Sequence, residues 1–129
     1  MNNDLDKLVK EGLVATKKRA VESFAREHPH FMAFFDKIFA GKKNHVGLRV
    51  TEDGKTVGEY TIYTEGTDIT GVEGGVLASE LHYPLGIIRP YVIVERSTLE
   101  KMREDEENIV SNPVGALRKY LPEMTLKFM

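Results

Sequence analysis

Cysteine is absent from this 129-residue chain. That closes off disulfides, thiolate nucleophiles and cysteine-held zinc or iron–sulfur centres. Long apolar runs are also missing. No stretch approaches the roughly 18 uninterrupted apolar residues of a membrane span. The N-terminal MNNDLDKLVK alternates acid and base without the apolar centre of a secretory signal. The C-terminal LKFM carries no prenylation or peroxisomal address, so a cytoplasmic location is expected. Net charge is only −2, and the longest basic run, Lys17-Lys18-Arg19, reads as a solvated helix face. No nucleic-acid partner is expected.

Catalytic and cofactor motifs are lacking as well. The chain has no phosphate-binding lysine loop, no GxGxxG, no GxSxG and no HExxH. Gly71-Val72-Glu73-Gly74-Gly75 is glycine-rich, but no helix or lysine follows as a phosphate cradle would need, and it reads as a turn or bulge. His28 and His30 straddle Pro29, while His45 and His82 lie elsewhere. Their spacing suits helix capping or exposure better than metal binding. Serine is scarce, and neither Ser79 nor Ser97 stands beside a positioned base. No enzyme activity, metal or cofactor is expected.

What remains is ordinary globular material. Hydrophobic residues make up 41% and charged residues 29% of the chain, enough for one domain over residues 1–129 with its own core. Residues 4–40 form its N-terminal helices, and 45–129 form a sheet with two further helices. Leu5, Leu8, Val9, Leu13, Val21, Phe24 and Ala25 keep roughly helical spacing and predict a helix over 4–27. Pro29 re-aims the chain. A second helix over about 30–40 carries Phe31, Phe34, Phe35, Ile38 and Phe39 on one face, with Gly41 as its stop. The stripe reads as core or as the wall of an apolar pocket.

Strands follow. Val46, Leu48 and Val50 alternate with Gly47 and Arg49, and Asp53-Gly54 is a favoured hairpin turn. The return strand passes Val57, Tyr60, Ile62 and Tyr63, and a third runs from Thr67 to Val72, completing an antiparallel meander. Residues 73–89 are irregular yet rich in Val76, Leu77, Leu81, Tyr83, Leu85, Ile87 and Ile88, with a short helical turn expected at 76–82. Three roles stay open for this segment: packing over a sheet edge, a lid over an apolar cavity, or a self-association surface. Tyr91 to Glu95 is a strand. Ser97-Thr98-Leu99-Glu100 reads as a capping box starting a helix to about 107, with Leu99 and Met102 inward and Arg103 to Glu107 outward. Asn112-Pro113 caps a last helix carrying Val114, Leu117 and Tyr120, and Met124 to Phe128 is the last strand. The expected fold is α+β, a five-stranded, mainly antiparallel sheet with helices packed on one face.

Residues from about 45 to 129 resemble the sterol carrier protein type 2 family, also called the sterol-binding-domain family. The hairpin around Asp53-Gly54 is similar to its first strand pair. The segment Pro90 to Met102 resembles its strand entering a helix. Asn112-Pro113, Ala116 and Met124 to Phe128 are similar to its second helix and last strand. The resemblance implies a sheet under helices with an apolar tunnel between the layers, binding sterols, fatty acids, fatty acyl-CoA or other lipids without a catalytic residue.

Such a tunnel would have Phe34, Phe35, Ile38 and Phe39 on one wall. Tyr60, Ile62, Ile69, Ile93, Leu126 and Phe128 would form the other, with Leu99, Met102 and Leu117 at one end. Met102 and Met124 would let it adapt to varied chains. The expected partner is therefore an apolar small molecule or lipid. A homo-oligomeric interaction domain using residues 76–90, working as a homodimer, is the alternative. A small enzyme using His28, His30 or His82 with a carboxylate is a third reading.

Overall fold

The computed structural model describes residues 3–39, 42–66, 68–83 and 85–129, without the side chains of residues 3, 35, 39 and 83. Gly41 and Thr67, expected to stop a helix and to start a strand, lie outside the described residues.

The chain opens with α1 (Asn3–Lys7), a π-helical stretch (Leu8–Leu13) and α2 (Val14–Glu27), which continue one another as the apolar spacing predicts. α3 (Pro29–Phe39) follows the break at His28. There the His28 amide still donates to the Phe24 carbonyl at 2.7 Å, and the imidazole packs on the Phe24 ring at 5.0 Å. β1 (Lys43–Glu52), β2 (Lys55–Glu65) and β3 (Asp68–Gly74) form the expected antiparallel meander. Asp53 and Gly54 take φ of 53° and 79° at the first turn, the left-handed pair that a two-residue hairpin needs.

Residues 81–88 form a small separate hairpin of β4 (Leu81–Tyr83) and β5 (Gly86–Ile88). The helical turn expected at 76–82 is not formed. Extended backbone is held there instead: the Glu80 and His45 backbones exchange two hydrogen bonds, at 2.8 and 3.1 Å. β6 (Pro90–Glu95), α4 (Arg96–Glu104), α5 (Glu106–Ser111), α6 (Pro113–Tyr120), a 3₁₀ turn (Leu121–Glu123) and β7 (Met124–Phe128) complete the chain.

The five main strands order as β3-β2-β1-β6-β7. β6 enters beside β1 and runs parallel to it, while the other neighbours are antiparallel. The sheet is thus mixed rather than mainly antiparallel, because the long excursion through residues 75–89 returns the chain to the end from which β1 starts. Hairpin periodicity carries no information about such a crossover.

Register fixes two distinct faces. Leu48 stands opposite Tyr60 on one side and Val92 on the other, and Val50 opposite Val94. These residues face the helices, where Leu5, Val9, Leu48, Val50, Tyr60, Val94 and Leu99 form the buried core. The Tyr60 hydroxyl donates to Asp6 Oδ1 at 2.6 Å and pins α1 to the sheet. Burial pushes the Tyr60 hydroxyl well above its ordinary pKa, and the hydrogen bond to Asp6 adds to the effect.

The opposite face carries Gly47, Arg49 and Thr61, and residues 75–80 strap across it. Thr61 Oγ1 donates to the Val76 carbonyl at 2.8 Å and accepts from the Ala78 amide at 3.0 Å. Ser79 donates to the carbonyl of Pro90. Leu77 fills the hollow over Gly47, where a Cβ would sit 2.7 Å from Leu77 Cδ1. Of the three roles left open for this segment, its first half takes up sheet-covering, on the face away from the helices.

Two expected caps differ. Asn112 accepts from the Gly115 amide at 3.1 Å, as its position before proline predicts. The capping box at Ser97 is not formed: the helix begins at Arg96, so the cap position falls on Glu95, two residues before Ser97, and no side chain caps it. Instead Arg96 pairs with Glu100 one turn on, at 3.0 Å.

Candidate functional site

A half-open cavity of about 580 Å³ lies between α2 and the helix-facing side of the sheet. That falls within the range of roughly 300–1,000 Å³ usual for small-molecule pockets. Its roof is Leu13, at the end of the π-helical stretch, with Thr16, Lys17, Ala20, Val21 and Phe24 of α2, a spacing that keeps one helix face over three turns. α3 adds Met32, α4 Met102, α5 Ile109 and α6 Val114, Ala116, Leu117 and Tyr120. The floor is Asn44 and Val46 of β1, Thr64 of β2 and Met124 of β7, with Leu81 of β4 closing one end.

The cavity crosses the sheet diagonally. Asn44 stands beside Thr64 at the start of β1, whereas Met124 pairs with Val94, which pairs with Val50. Asn44 and Val50 are about 20 Å apart along the strand at ~3.3 Å per residue. Leu117 of α6 is 61% exposed, and Leu126 and Phe128, on the same face as Met124 but running back along β7 toward the level of Val46, are 60% and 61% exposed. Apolar side chains therefore continue from the cavity onto the surface beside α6 and β7.

An acidic stretch holds the wall of α5 and α6 in place. The sequence alone presents Arg103 to Glu107 as an outward, solvated run, but Asp105 and Glu106 are half-buried. Glu106 meets Arg19 at 3.2 Å and accepts from Thr16 at 3.2 Å, tying α5 to α2. Asp105 accepts from Asn108, Tyr120 and Lys119 at 2.7, 2.7 and 2.9 Å. Those hydrogen bonds, led by the Asn108 amide, hold its carboxyl down to about 2. The Tyr120 hydroxyl moves the other way, raised by burial first and by its bond to Asp105 second.

Polar groups gather at the Asn44 end. Asn44 is only 3% exposed. Its Oδ1 accepts from the His82 amide at 2.7 Å, which fixes which amide atom is oxygen. Its Nδ2 then points as a donor with no hydrogen-bond partner among the described residues. Thr64 Oγ1 donates to the Asn44 carbonyl at 3.3 Å. Lys17 enters from the roof, and desolvation lowers its pKa while Asp68 opposes that shift.

Of the residues expected to line a tunnel, Met102 and Leu117 do so. Tyr60 and Leu99 are buried in the dry core, with Ile62 packed beside them. Ile93 pairs with Arg49 and so faces the strapped side of the sheet. Leu126 and Phe128 lie on the cavity's face but outside its lining, and Ile69 and Ile38 are half-buried away from it. Phe34 is 58% exposed, and the side chains of Phe35 and Phe39 lie outside the described residues. The helix over the cavity is α2 rather than the phenylalanine-rich α3, which packs against α2 instead.

Thr16, Lys17 and Asn44 were not singled out as lining residues by sequence reasoning. The signal for the first two was the spacing of Leu13, Ala20, Val21 and Phe24 around them. Asn44 carried none, because a buried asparagine in a strand looks like any polar residue beside a turn.

Among the described residues no helix is long and apolar enough to cross a membrane, and no group of three histidines or carboxylates is placed to hold a metal. Comparison with protein-family models, with curated proteins and with solved structures finds no match to this chain.

Proposed function

We propose that this protein binds an apolar ligand, without catalysing a reaction, in the cavity beneath α2. The carrying observation is the cavity itself: about 580 Å³ enclosed mostly by aliphatic, methionine and aromatic side chains and open on one side. Space of this size is not a feature of a close-packed core, which leaves few voids larger than a water molecule. Met32, Met102 and Met124 give the wall side chains that adapt to ligands of different shape. Among the described residues no histidine, aspartate or glutamate lines the cavity, which favours binding over acid–base chemistry. The resemblance to the sterol carrier protein type 2 family belongs to the same proposal, since a sheet under helices with apolar space between is what it leads one to expect.

Native mass spectrometry of the purified chain tests the reading. An apolar adduct, removed by a hydrophobic resin and restored by added dodecanol, is the expected result. No adduct, together with no thermal shift from dodecanol, counts against it.

A second reading has its own observation. Leu85, at the tip of the β4–β5 hairpin, is 89% exposed, and so large an exposed aliphatic group suits self-association. Sedimentation of the wild type and of Leu85→Asp decides: a dimer converted to a folded monomer supports this reading, and a wild-type monomer removes it.

A further inference from the structure

We infer that β7 is a docking edge for a second copy of this chain: the two β7 strands pair antiparallel about a twofold axis at Leu126 and join two five-stranded sheets into one. The inference does not depend on the cavity's holding a ligand.

Three observations carry it. The first is the state of the edge. β7 ends the sheet, with β6 on one side and no strand among the described residues on the other. The Met129 amide donates to the Arg89 carbonyl at 2.8 Å, and the same register sets Lys127 opposite Tyr91 and Thr125 opposite Ile93. Bonding alternates along an antiparallel ladder, so Thr125, Lys127 and Met129 turn their amides and carbonyls toward β6. Those of Met124, Leu126 and Phe128 point out from the sheet. Exposed edges are commonly blunted by proline or a bulge. β7 contains no proline, and its pairing with β6 has no register shift.

The second is the apolar surface beside those outward groups. Leu126 and Phe128 face the helix side of the sheet yet are 60% and 61% exposed, so the helix layer stops short of β7. Leu117 and Leu121 are 61% and 57% exposed and share the cavity lining with Met124. At this exposure a large apolar side chain leaves roughly 100 Å² open. The four together present about 400 Å², the size of the largest apolar patch on a typical monomer. The strand backbone and the Thr125–Lys127 face extend it toward the ~800 Å² per partner of a specific interface. The other margin of the sheet differs. β3 carries Asp68, Glu73 and two glycines, shifts register against β2, and leaves Ile69 and Val72 half-buried.

The third is self-complementarity. An open strand edge is completed by another strand, and reversal about Leu126 maps the outward groups of β7 onto themselves. Leu126 then meets the partner's Leu126, and Met124 meets the partner's Phe128. Every outward amide and carbonyl of the strand finds its counterpart, and apolar side chains meet only apolar ones. On the other face Lys127 stands opposite the partner's Thr125 and never opposite itself, so no like charges are set together. Such a closed twofold uses one patch on both copies, the commonest form of soluble oligomer. It also sets the partner's Phe128 beside Met124, at the margin of the cavity.

Sedimentation velocity of the full chain over a dilution series is the test. The wild type is expected to be a dimer that dissociates on dilution. Leu126→Lys sets two lysines against each other and is expected to raise the dissociation constant roughly 100-fold, because two leucines leave the interface at once. Leu126→Glu is expected to do the same. An equimolar mixture of the two variants is expected to dimerise again, since lysine then meets glutamate. Leu85→Asp is expected to leave the dimer intact.

A wild type that stays monomeric at every concentration overturns the inference, as does a mixture of the two variants that stays monomeric. A dimer that Leu126→Lys leaves unchanged also overturns it; if Leu85→Asp dissolves that dimer, the interface is the β4–β5 hairpin. If the Leu126 variants do not fold by circular dichroism, Leu126→Cys replaces them. The chain has no other cysteine, and Cα atoms across a bonded antiparallel pair stand about 5.5 Å apart, within disulfide reach. Oxidation is then expected to give a covalent dimer, and Thr125→Cys, which faces the partner's Lys127, is expected to give none. No cross-linking of Leu126→Cys, or equal cross-linking of Thr125→Cys, overturns the inference.

Discussion

Replacing Ala20 with phenylalanine asks whether the space beneath α2 is really open. Ala20 lies on the cavity side of α2, with Ala116 of α6 also in the lining. In a dense core an added ring forces neighbours off their rotamers and costs about 1–3 kcal/mol. In an apolar cavity of about 580 Å³ the ring has somewhere to go. A phenylalanine side chain buries at least ~150 Å²; if half of that is withdrawn from water at about 25 cal/mol per Å², the gain is about 2 kcal/mol.

Against this stands the lower helix propensity of phenylalanine, about 0.5 kcal/mol relative to alanine. The net expectation is stabilisation by about 1.5 kcal/mol, or roughly 6 °C in Tm for a chain of this size. Urea unfolding followed by circular dichroism measures it, with the slope of the transition checked for constancy. The sign decides. Destabilisation by 1 kcal/mol or more, with an unchanged slope, would refute the cavity.

Other consequences are independent of the ligand. Gly47→Ala sets a methyl 2.7 Å from Leu77 Cδ1 and 3.0 Å from Tyr91 Cβ; a loss of about 1–3 kcal/mol is expected. Leu77→Ala should recover part of that loss in the double mutant, a coupling that a double-mutant cycle reads directly. Asn112→Ala should cost about 1 kcal/mol through loss of the cap to Gly115, whereas Ser97→Ala, which removes no capping bond, should stay within about 0.5 kcal/mol of wild type.

Acid provides a further test. Asp105 has a folded-state pKa depressed to about 2, so its contribution is complete above the ordinary carboxylate value of about 3.9 and is lost as pH falls through the folded value. The stability difference between wild type and Asp105→Asn should therefore shrink as pH falls from about 4 toward 2; a difference constant over that window contradicts the assignment.

The elements were legible in the sequence wherever local chemistry dictates them. Alternation through Val46, Leu48 and Val50, the Asp53-Gly54 turn and the Asn112-Pro113 cap each specify their structure within a few residues. The parallel pairing of β6 with β1 was not legible, because it depends on where a 15-residue excursion (75–89) re-enters the sheet. The site was legible only in part, for a physical reason. Periodicity says that a helix has an apolar face but not what that face meets. The phenylalanines of α3 made the stronger stripe, yet Phe31 and Phe34 are exposed. The face of α2 over the cavity is interrupted by Thr16 and Lys17, and so reads as weaker.

The central claim is that the space under α2 is a ligand site, and calorimetric titration of dodecanol at several temperatures tests it most directly, with wild type and Ala20→Phe compared. The account predicts one-to-one binding with a negative heat-capacity change, the mark of apolar burial, sharply weakened when the added ring fills the cavity. No binding heat at any temperature, or binding that Ala20→Phe leaves unchanged, would contradict it.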